Sequence, residues 1–274
     1  MNEFQKLKDK AQWVARELLK LHKIAPESRI ASSLSDIEIF VMLYYGGILK
    51  YDSKFPLSEN RDRFIVSKGH GGVSLFPILA DLGYFSKDEL KKIGQPDSFL
   101  CVIPDTAIPG FETINGSLGH GLGVACGVAV GLKRKKSNAK VYVLCGDGEL
   151  NEGAVWEGVM FAGYHKLDNL VFIVDNNEIS MLGYQKDILG LDPLDGKFKA
   201  FGWECLTVDG HDFGELDSAL TGFKNKDNER PKVLIANTRK GNGIEGLEGH
   251  PMSHVITLKG ERIDEILEGY NGCN

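Results

Sequence analysis

The sequence predicts an α/β protein built on an open, mainly parallel β-sheet flanked by helices. Three observations carry this. Four short, apolar, β-rich runs recur through the second half of the chain, at Val141–Cys145, Leu170–Val174, Glu204–Val208 and Val233–Ala236. Helical patterns at 119–133, 152–165, 193–201 and 213–223 alternate with them. Each run reads as buried on both faces, as parallel strands are. In such a sheet, ligands bind at the carboxyl ends of the strands.

The elements before the sheet are helical. Leu7, Ala11, Val14, Leu18 and Leu21 fall at helical spacing and predict an amphipathic helix over 4–21. Ser35, with Glu38 three residues on, has the form of a capping box for a second helix, which carries Ile37 to Leu43 and stops at Gly46-Gly47. Further helical patterns cover 75–82 and 87–93. Residues 94–123 then hold Pro96, Pro104, Pro109 and six glycines, which predicts a long structured loop. Loops of that length inside a compact domain usually serve function. No internal repeat or low-complexity linker interrupts the chain, so residues 1–274 read as a single domain.

Composition narrows the partners. A formal net charge of −6 argues against a nucleic-acid or anionic-membrane surface as partner. The basic run Lys133–Lys136 reads as a solvated helix end, where cations favour the dipole. The five cysteines (101, 126, 145, 205 and 273) show no C-x-x-C spacing, which fits a reduced cytoplasmic setting better than disulfides or a zinc site. No segment has transmembrane length, and the amino terminus lacks the apolar core of a signal peptide. A soluble cytoplasmic protein is expected.

The most informative segment begins where the first clear strand ends, at Gly146-Asp147-Gly148-Glu149; a second strand ends at Asp175-Asn176-Asn177. If the two strands are neighbours, Asp147 and Asn177 meet at one end of the sheet. A carboxylate and an amide carbonyl are hard oxygen ligands, suited to Mg²⁺ or Ca²⁺ bridging a diphosphate. The glycines let backbone approach phosphate closely, and the following helix offers its amino end.

The stretch from Gly146 to Gly183 resembles the thiamine diphosphate signature of transketolases. The likeness extends along nearly the whole chain, through Asp62–His70, Gly110–Glu112, Gly116–Leu122, Phe201–Glu204 and Val208–Asp212. The resemblance implies the thiamine diphosphate-binding fold, specifically its diphosphate-binding domain. It implies that Asp147, the Asn177 side chain and the Ile179 carbonyl ligate the metal, and that Gly116, Ser117, Leu118, Gly148 and Asn177 contact the cofactor. His70 and His254 are then the catalytic histidines, lining the cleft shared by cofactor and substrate, and Glu152 lies at an intersubunit contact. His165, His211 and His250 read as ordinary structural or surface histidines.

Full-length transketolases add a second α/β domain that binds the aminopyrimidine and supplies an activating glutamate. Only fifteen residues follow Lys259. The resemblance therefore implies a split enzyme, whose partner in an α2β2 assembly is a separate carboxyl-terminal, pyrimidine-binding polypeptide. Two departures bear on substrate. Arg29 stands for the histidine of a glycine-histidine-proline element near the second helix. A second such histidine is replaced by Ile103 (in Val102–Asp105) or, on another alignment, by Gln95 (in Gly94–Asp97). Family members use these histidines on hydroxyls of a ketose donor. Two donors stay open: a ketose, giving two-carbon transfer to an aldehyde or ketone, and pyruvate or a similar methyl ketone. A thiamine-dependent component of a 2-oxoacid dehydrogenase, or a non-catalytic protein of the same fold, are the alternatives.

Overall fold

The structure, a computed structural model, describes residues 3–226 and 228–271. Its centre is a five-stranded sheet in which every pairing is parallel, in the order β1-β2-β3-β5-β4. The strands are β1 (Arg63–Val66), β2 (Val141–Gly146), β3 (Leu170–Asn176), β4 (Glu204–Asp209) and β5 (Lys232–Asn237). Helices α1 (Glu3–Ile24), α2 (Ile30–Leu34), α3 (Ile37–Tyr45) and α4 (Leu75–Asp81) precede or follow β1. Helices α5 (Gly121–Arg134), α6 (Gly153–Tyr164), α7 (Gln185–Leu189), α8 (Leu194–Ala200), α9 (Phe213–Asn225) and α10 (Gly260–Asn271) complete the chain.

Strand periodicity sorts the core into two layers. Phe64, Val66, Tyr142, Leu144, Val171, Ile173 and Leu234 pack with α1, α3, α4 and α9 on one face. Ile65, Val141, Val143, Cys145, Phe172, Val174 and Ile235 pack with α5, α6 and α8 on the other. Residues one apart on a strand point to opposite faces, so a doubly covered sheet needs an unbroken apolar run. Strands β2 and β3 have that run.

Three expectations change. The segment Arg63–Val66, which carries no predicted strand, forms the edge strand β1 and pairs with Val141–Leu144. Strand β4 is not buried on both faces: Leu206 is 40% exposed, because β4 is the opposite edge of the sheet. Ser35 does not cap α3. The capping residue is Asp36, which makes no side-chain cap bond; the Ser35 hydroxyl turns inward instead, to Ser32 O (3.0 Å) and Asp175 Oδ2 (2.8 Å). Glu38 pairs with His211 at 3.1 Å rather than closing a box.

The loop after residue 94 runs without helix or strand to Gly121, where α5 starts. A Cβ at Gly121 would lie 2.3 Å from Ser67 Cβ, so only glycine lets the first turn of α5 rest on the end of β1. Cys126 and Cys145 are buried and Cys101 and Cys205 half-buried, all as free thiols; Cys273 lies outside the described residues. Among the described residues no helix is long and apolar enough to cross a membrane.

Candidate active site

The carboxyl ends of β1, β2, β3 and β5 open onto one cleft of about 210 Å³. Register explains the convergence: Gly146 stands opposite Asp175, and Asp175 opposite Ala236, so the residues that follow each strand share one edge. Asp147, Gly148, Asn177, Ile179, Gly116, Leu118, Ile103, His70 and His254 all line the cleft, as do Lys68 and Lys240. Ser117 is not among the lining residues; it lies on the exposed shoulder of the same loop. Arg29 does not line the cleft either, but its charge reaches His254. Gln95, the other candidate for the second lost histidine, is exposed and away from the cleft wall, whereas Ile103 forms part of that wall.

Asp147 is 4% exposed and accepts the amide of Gly148 at 2.8 Å on one oxygen and that of Glu178 on the other. Burial, then the neighbouring Asp175, pushes its carboxyl up to about 7. Lys240 and the two amides offset this only in part, and a bound cation would add counter-charge.

Asn177 is oriented by a fixed partner. Its Nδ2 donates to Asp175 Oδ2 at 2.7 Å, which assigns Oδ1 to the carbonyl; that oxygen accepts from Ile179 N at 3.2 Å and keeps a second lone pair. Asp175 is fully buried and accepts as well from Lys68, Ser35 and Thr238. Lys68 holds the pocket floor together, donating also to Asp36 at 3.0 Å and to Ser32 O at 3.2 Å. Its two carboxylates hold the ammonium above its usual range against the opposing effect of burial. Burial keeps Asp36 well above its usual value, and Lys68 keeps Asp175 down near 2. One charged carboxylate and one lysine are the stable combination here.

Asp147, the Asn177 amide and the Ile179 carbonyl follow the ends of the adjacent strands β2 and β3 and line the cleft together; oxygen donors of these types are the ones Mg²⁺ and Ca²⁺ take. Lys240, 3% exposed, donates to the Ile179 carbonyl at 2.8 Å, and burial with Lys68 nearby brings its ammonium down to about 8. Among the described residues no three His, Cys, Asp or Glu side chains cluster as a metal site.

The upper wall carries the two histidines, whose rings meet edge to face at 5.0 Å. Burial, Lys68 and His254 hold His70 well below its usual value; burial, Lys240 and Arg29 bring His254 to about 3. Both are neutral imidazoles at neutral pH, able to donate or accept towards a hydroxyl or carbonyl. Gly116 adopts φ 122° with open space toward the cleft, its nearest neighbour there being Ile103 Cγ2 at 3.6 Å from a would-be Cβ. Glu149 fixes this loop from below: its Oε1 accepts from Ser67 Oγ and from Gly119 N (2.8 Å). Glu152 sits exposed at the start of α6, its Cβ against Gly119.

Sequence reasoning assigned no role to Lys68, Asp175, Glu149 or Lys240. One signal was available: Lys68-Gly69 and Lys240-Gly241 are the same dipeptide, each just past a strand of the sheet.

Fold and cleft together define an α/β protein with a polar, glycine-rich cleft at the carboxyl ends of its parallel strands. Residues 31–272 match the family described as transketolase, thiamine diphosphate binding domain. Over 267 residues the chain is 40% identical to an apulose-4-phosphate transketolase subunit of Actinobacillus succinogenes, covering 97% of this chain and 96% of that one. It is 37% identical over 235 residues to a 6-deoxy-6-sulfo-D-fructose transketolase subunit of a Clostridium species, covering 85% and 84%. Human transketolase is 35% identical over 272 residues, but only 42% of it is covered. The solved transketolase of Campylobacter jejuni superposes with a TM-score of 0.89 at 32% identity, over 97% of this chain and 43% of that one. This chain belongs to the transketolase family and corresponds to its thiamine diphosphate-binding domain.

Proposed function

We propose that this chain is the diphosphate-binding half of a two-chain thiamine diphosphate transferase that moves a two-carbon unit from an anionic ketose to an aldehyde. The observation that carries this reading is the convergence of Asp147, Asn177, the Ile179 carbonyl, Gly116 and Gly148 with two neutral histidines in a single cleft. The cofactor supplies the carbanion chemistry, which no protein side chain can provide. In the proposal, Asp147, Asn177 and the Ile179 carbonyl hold Mg²⁺, and the backbone of Gly116 to Leu118 and Gly148 lies against the cofactor. Ser117 meets it only if its loop turns inward. Lys240 adds positive charge beside the diphosphate. His70 and His254 face the donor and exchange protons with its hydroxyls while the surrounding wall keeps water out. The names of two relatives, a ketose phosphate and a sulfonated fructose transketolase, support a donor with an anionic end.

The partner is a separate pyrimidine-binding polypeptide that brings the activating glutamate, and the complex holds two copies of each chain. The match to a transketolase subunit of nearly equal length supports the first part. The second draws on the outer faces of α5 and α6, where Val124, Met160, Phe161 and Tyr164 are exposed beside Gly123, Gly127 and Gly131, with open space at each glycine. Small residues at spacing four let helices approach closely, and such apolar faces are ordinarily covered. Residues 1–274 act as one domain, in the reducing cytoplasm that free thiols suit. A second reading, with pyruvate as donor, rests on Ile103, whose apolar side chain forms part of the cleft wall at a position where the resemblance to transketolases implies a histidine.

The test is turnover of fructose 6-phosphate or pyruvate with an aldehyde acceptor. The purified chain alone is expected to be inactive and the two-chain complex active, with the ketose phosphate preferred. Turnover by the isolated chain would refute the partner assignment.

A further inference from the structure

His254, which lines the cleft, and Arg29, whose charge reaches it from behind, sit on two segments with little regular structure. Residues 25–29 join α1 to α2, and residues 238–259 contain no helix or strand. Backbone turns hold most of the second segment from Arg239 to Val255, and beyond Val255 side-chain contacts take over. One side chain reaches both segments. His22, in the last turn of α1, has no exposed surface. Its Nδ1 lies 2.8 Å from Ser28 Oγ, and Leu258 N donates to its Nε2 at 3.2 Å. A backbone amide can only donate, so Nε2 bears the lone pair and Nδ1 bears the proton, which it donates to the serine hydroxyl. Burial brings the ring down to about 4, against a smaller opposing effect of Glu27, so it stays neutral.

The two segments touch once more directly, and α2, which follows the first, meets the second at Ser32 and where Gly241 N donates to Ala31 O at 2.9 Å. Thr257 Oγ1 donates to Pro26 O at 3.4 Å, and Ser32 Oγ, one turn beyond Arg29, lies 3.4 Å from His254 Nδ1. An apolar residue at 22 could fill the space but could not choose a register for either segment. A buried ring with both nitrogens satisfied does so, because any slip leaves a buried polar group unpaired.

We propose that His22 is a positioning residue that sets the donor wall, fixing the His254 segment through Nε2 and the Arg29 segment through Nδ1. It touches neither cofactor nor donor and acts through the backbone. The assignment rests on the thiamine diphosphate reading of the cleft.

The two bonds can be cut separately in the two-chain enzyme. In His22→Gln the amide oxygen reaches the Nε2 position and can still accept from Leu258 N. In His22→Asn the shorter amide reaches only the Nδ1 position and Leu258 N loses its partner. Amide hydrogen exchange of residues 255–258 is expected to accelerate about tenfold in His22→Asn and to stay near wild type in His22→Gln. The KM for fructose 6-phosphate should rise about tenfold in His22→Asn with cofactor affinity unchanged. Thr257→Val, which cuts the adjoining link, should raise the same KM by a smaller factor and serves if His22→Asn does not accumulate. Wild-type exchange and KM in His22→Asn, or a wild-type KM in Thr257→Val, would overturn the proposal. So would a weakening of cofactor affinity in parallel with the rise in KM, because that pattern marks a merely structural residue. If the wild-type complex itself bound no thiamine diphosphate, the reading of the cleft would fall, while hydrogen exchange would still report on the clamp.

Discussion

Asp175→Asn probes the layer beneath the proposed metal site. The side chain keeps its shape but loses its charge. Asp175 Oδ2 accepts from Lys68, from Ser35 at 2.8 Å and from Asn177 Nδ2 at 2.7 Å, while Oδ1 accepts from Thr238. Each bond to a charged acceptor stabilises by about 1 kcal/mol more than the same bond to a neutral one. Three bonds on Oδ2 put the loss at about 3 kcal/mol, after Asp36, freed from its like-charged neighbour, ionises to take over Lys68. For a chain of this size that is a fall in melting temperature of about 6–12 °C. The effect on function should be separable. Loss of the partner that orients a ligand typically weakens metal affinity by about 10–100-fold. Titration of the two-chain complex with Mg²⁺ at saturating thiamine diphosphate, beside a melting curve, reads both. A lower melting temperature with wild-type metal affinity would refute the argument that Asp175 orients Asn177 as a ligand.

Two further outcomes follow from the same geometry. His22 is held near 4 when folded and titrates near 6.5 when unfolded, so the unfolded chain takes up the proton first. Its contribution is whole above pH 6.5 and declines as pH falls toward 4, with His70 and His254 acting in the same sense. Urea midpoints should drop between pH 7.5 and 5 in wild type and drop less in His22→Gln; equal slopes would show that His22 does not carry the pH dependence. Ile103→His should shift kcat/KM toward a ketose phosphate over pyruvate by at least about tenfold, since a pocket that hydrogen-bonds a hydroxyl strongly disfavours its absence. An unchanged ratio would take Ile103 out of the donor site.

The parts of the fold legible in the sequence are those whose pattern is long or doubly buried. Strands β2, β3 and β5 and helices α1, α5, α6 and α9 announce themselves through uninterrupted apolar runs or a clear helical stripe. Strand β1 does not, because its four residues sit between charged neighbours and gain strand form only by pairing with β2. Ser35 shows how a local rule yields to a tertiary partner: a buried carboxylate on β3, 140 residues away, takes the hydroxyl that would have capped α3. Among the residues that line the cleft, Asp147 and Asn177 were legible from the strand ends they follow, whereas His70 and His254 were legible only through the resemblance to transketolases. Lys68, Asp175 and Glu149 were not, since a buried charge has no signature until the carboxylates and amides that satisfy it are known. Arg29 and Ser117 were placed in the site by motif order and stand at its margin, where side-chain direction rather than chain position decides.

The central claim is that this cleft holds thiamine diphosphate through a cation bound by Asp147. Calorimetric titration of the two-chain complex with thiamine diphosphate, with Mg²⁺ and with the cation removed by chelation, tests it directly in wild type and Asp147→Ala. Binding should depend on Mg²⁺ in the wild type. In the variant that dependence should be lost and affinity weakened by at least about 100-fold, because the cation loses its only anionic protein ligand. Tight binding without a cation, or wild-type affinity in Asp147→Ala, would contradict the claim.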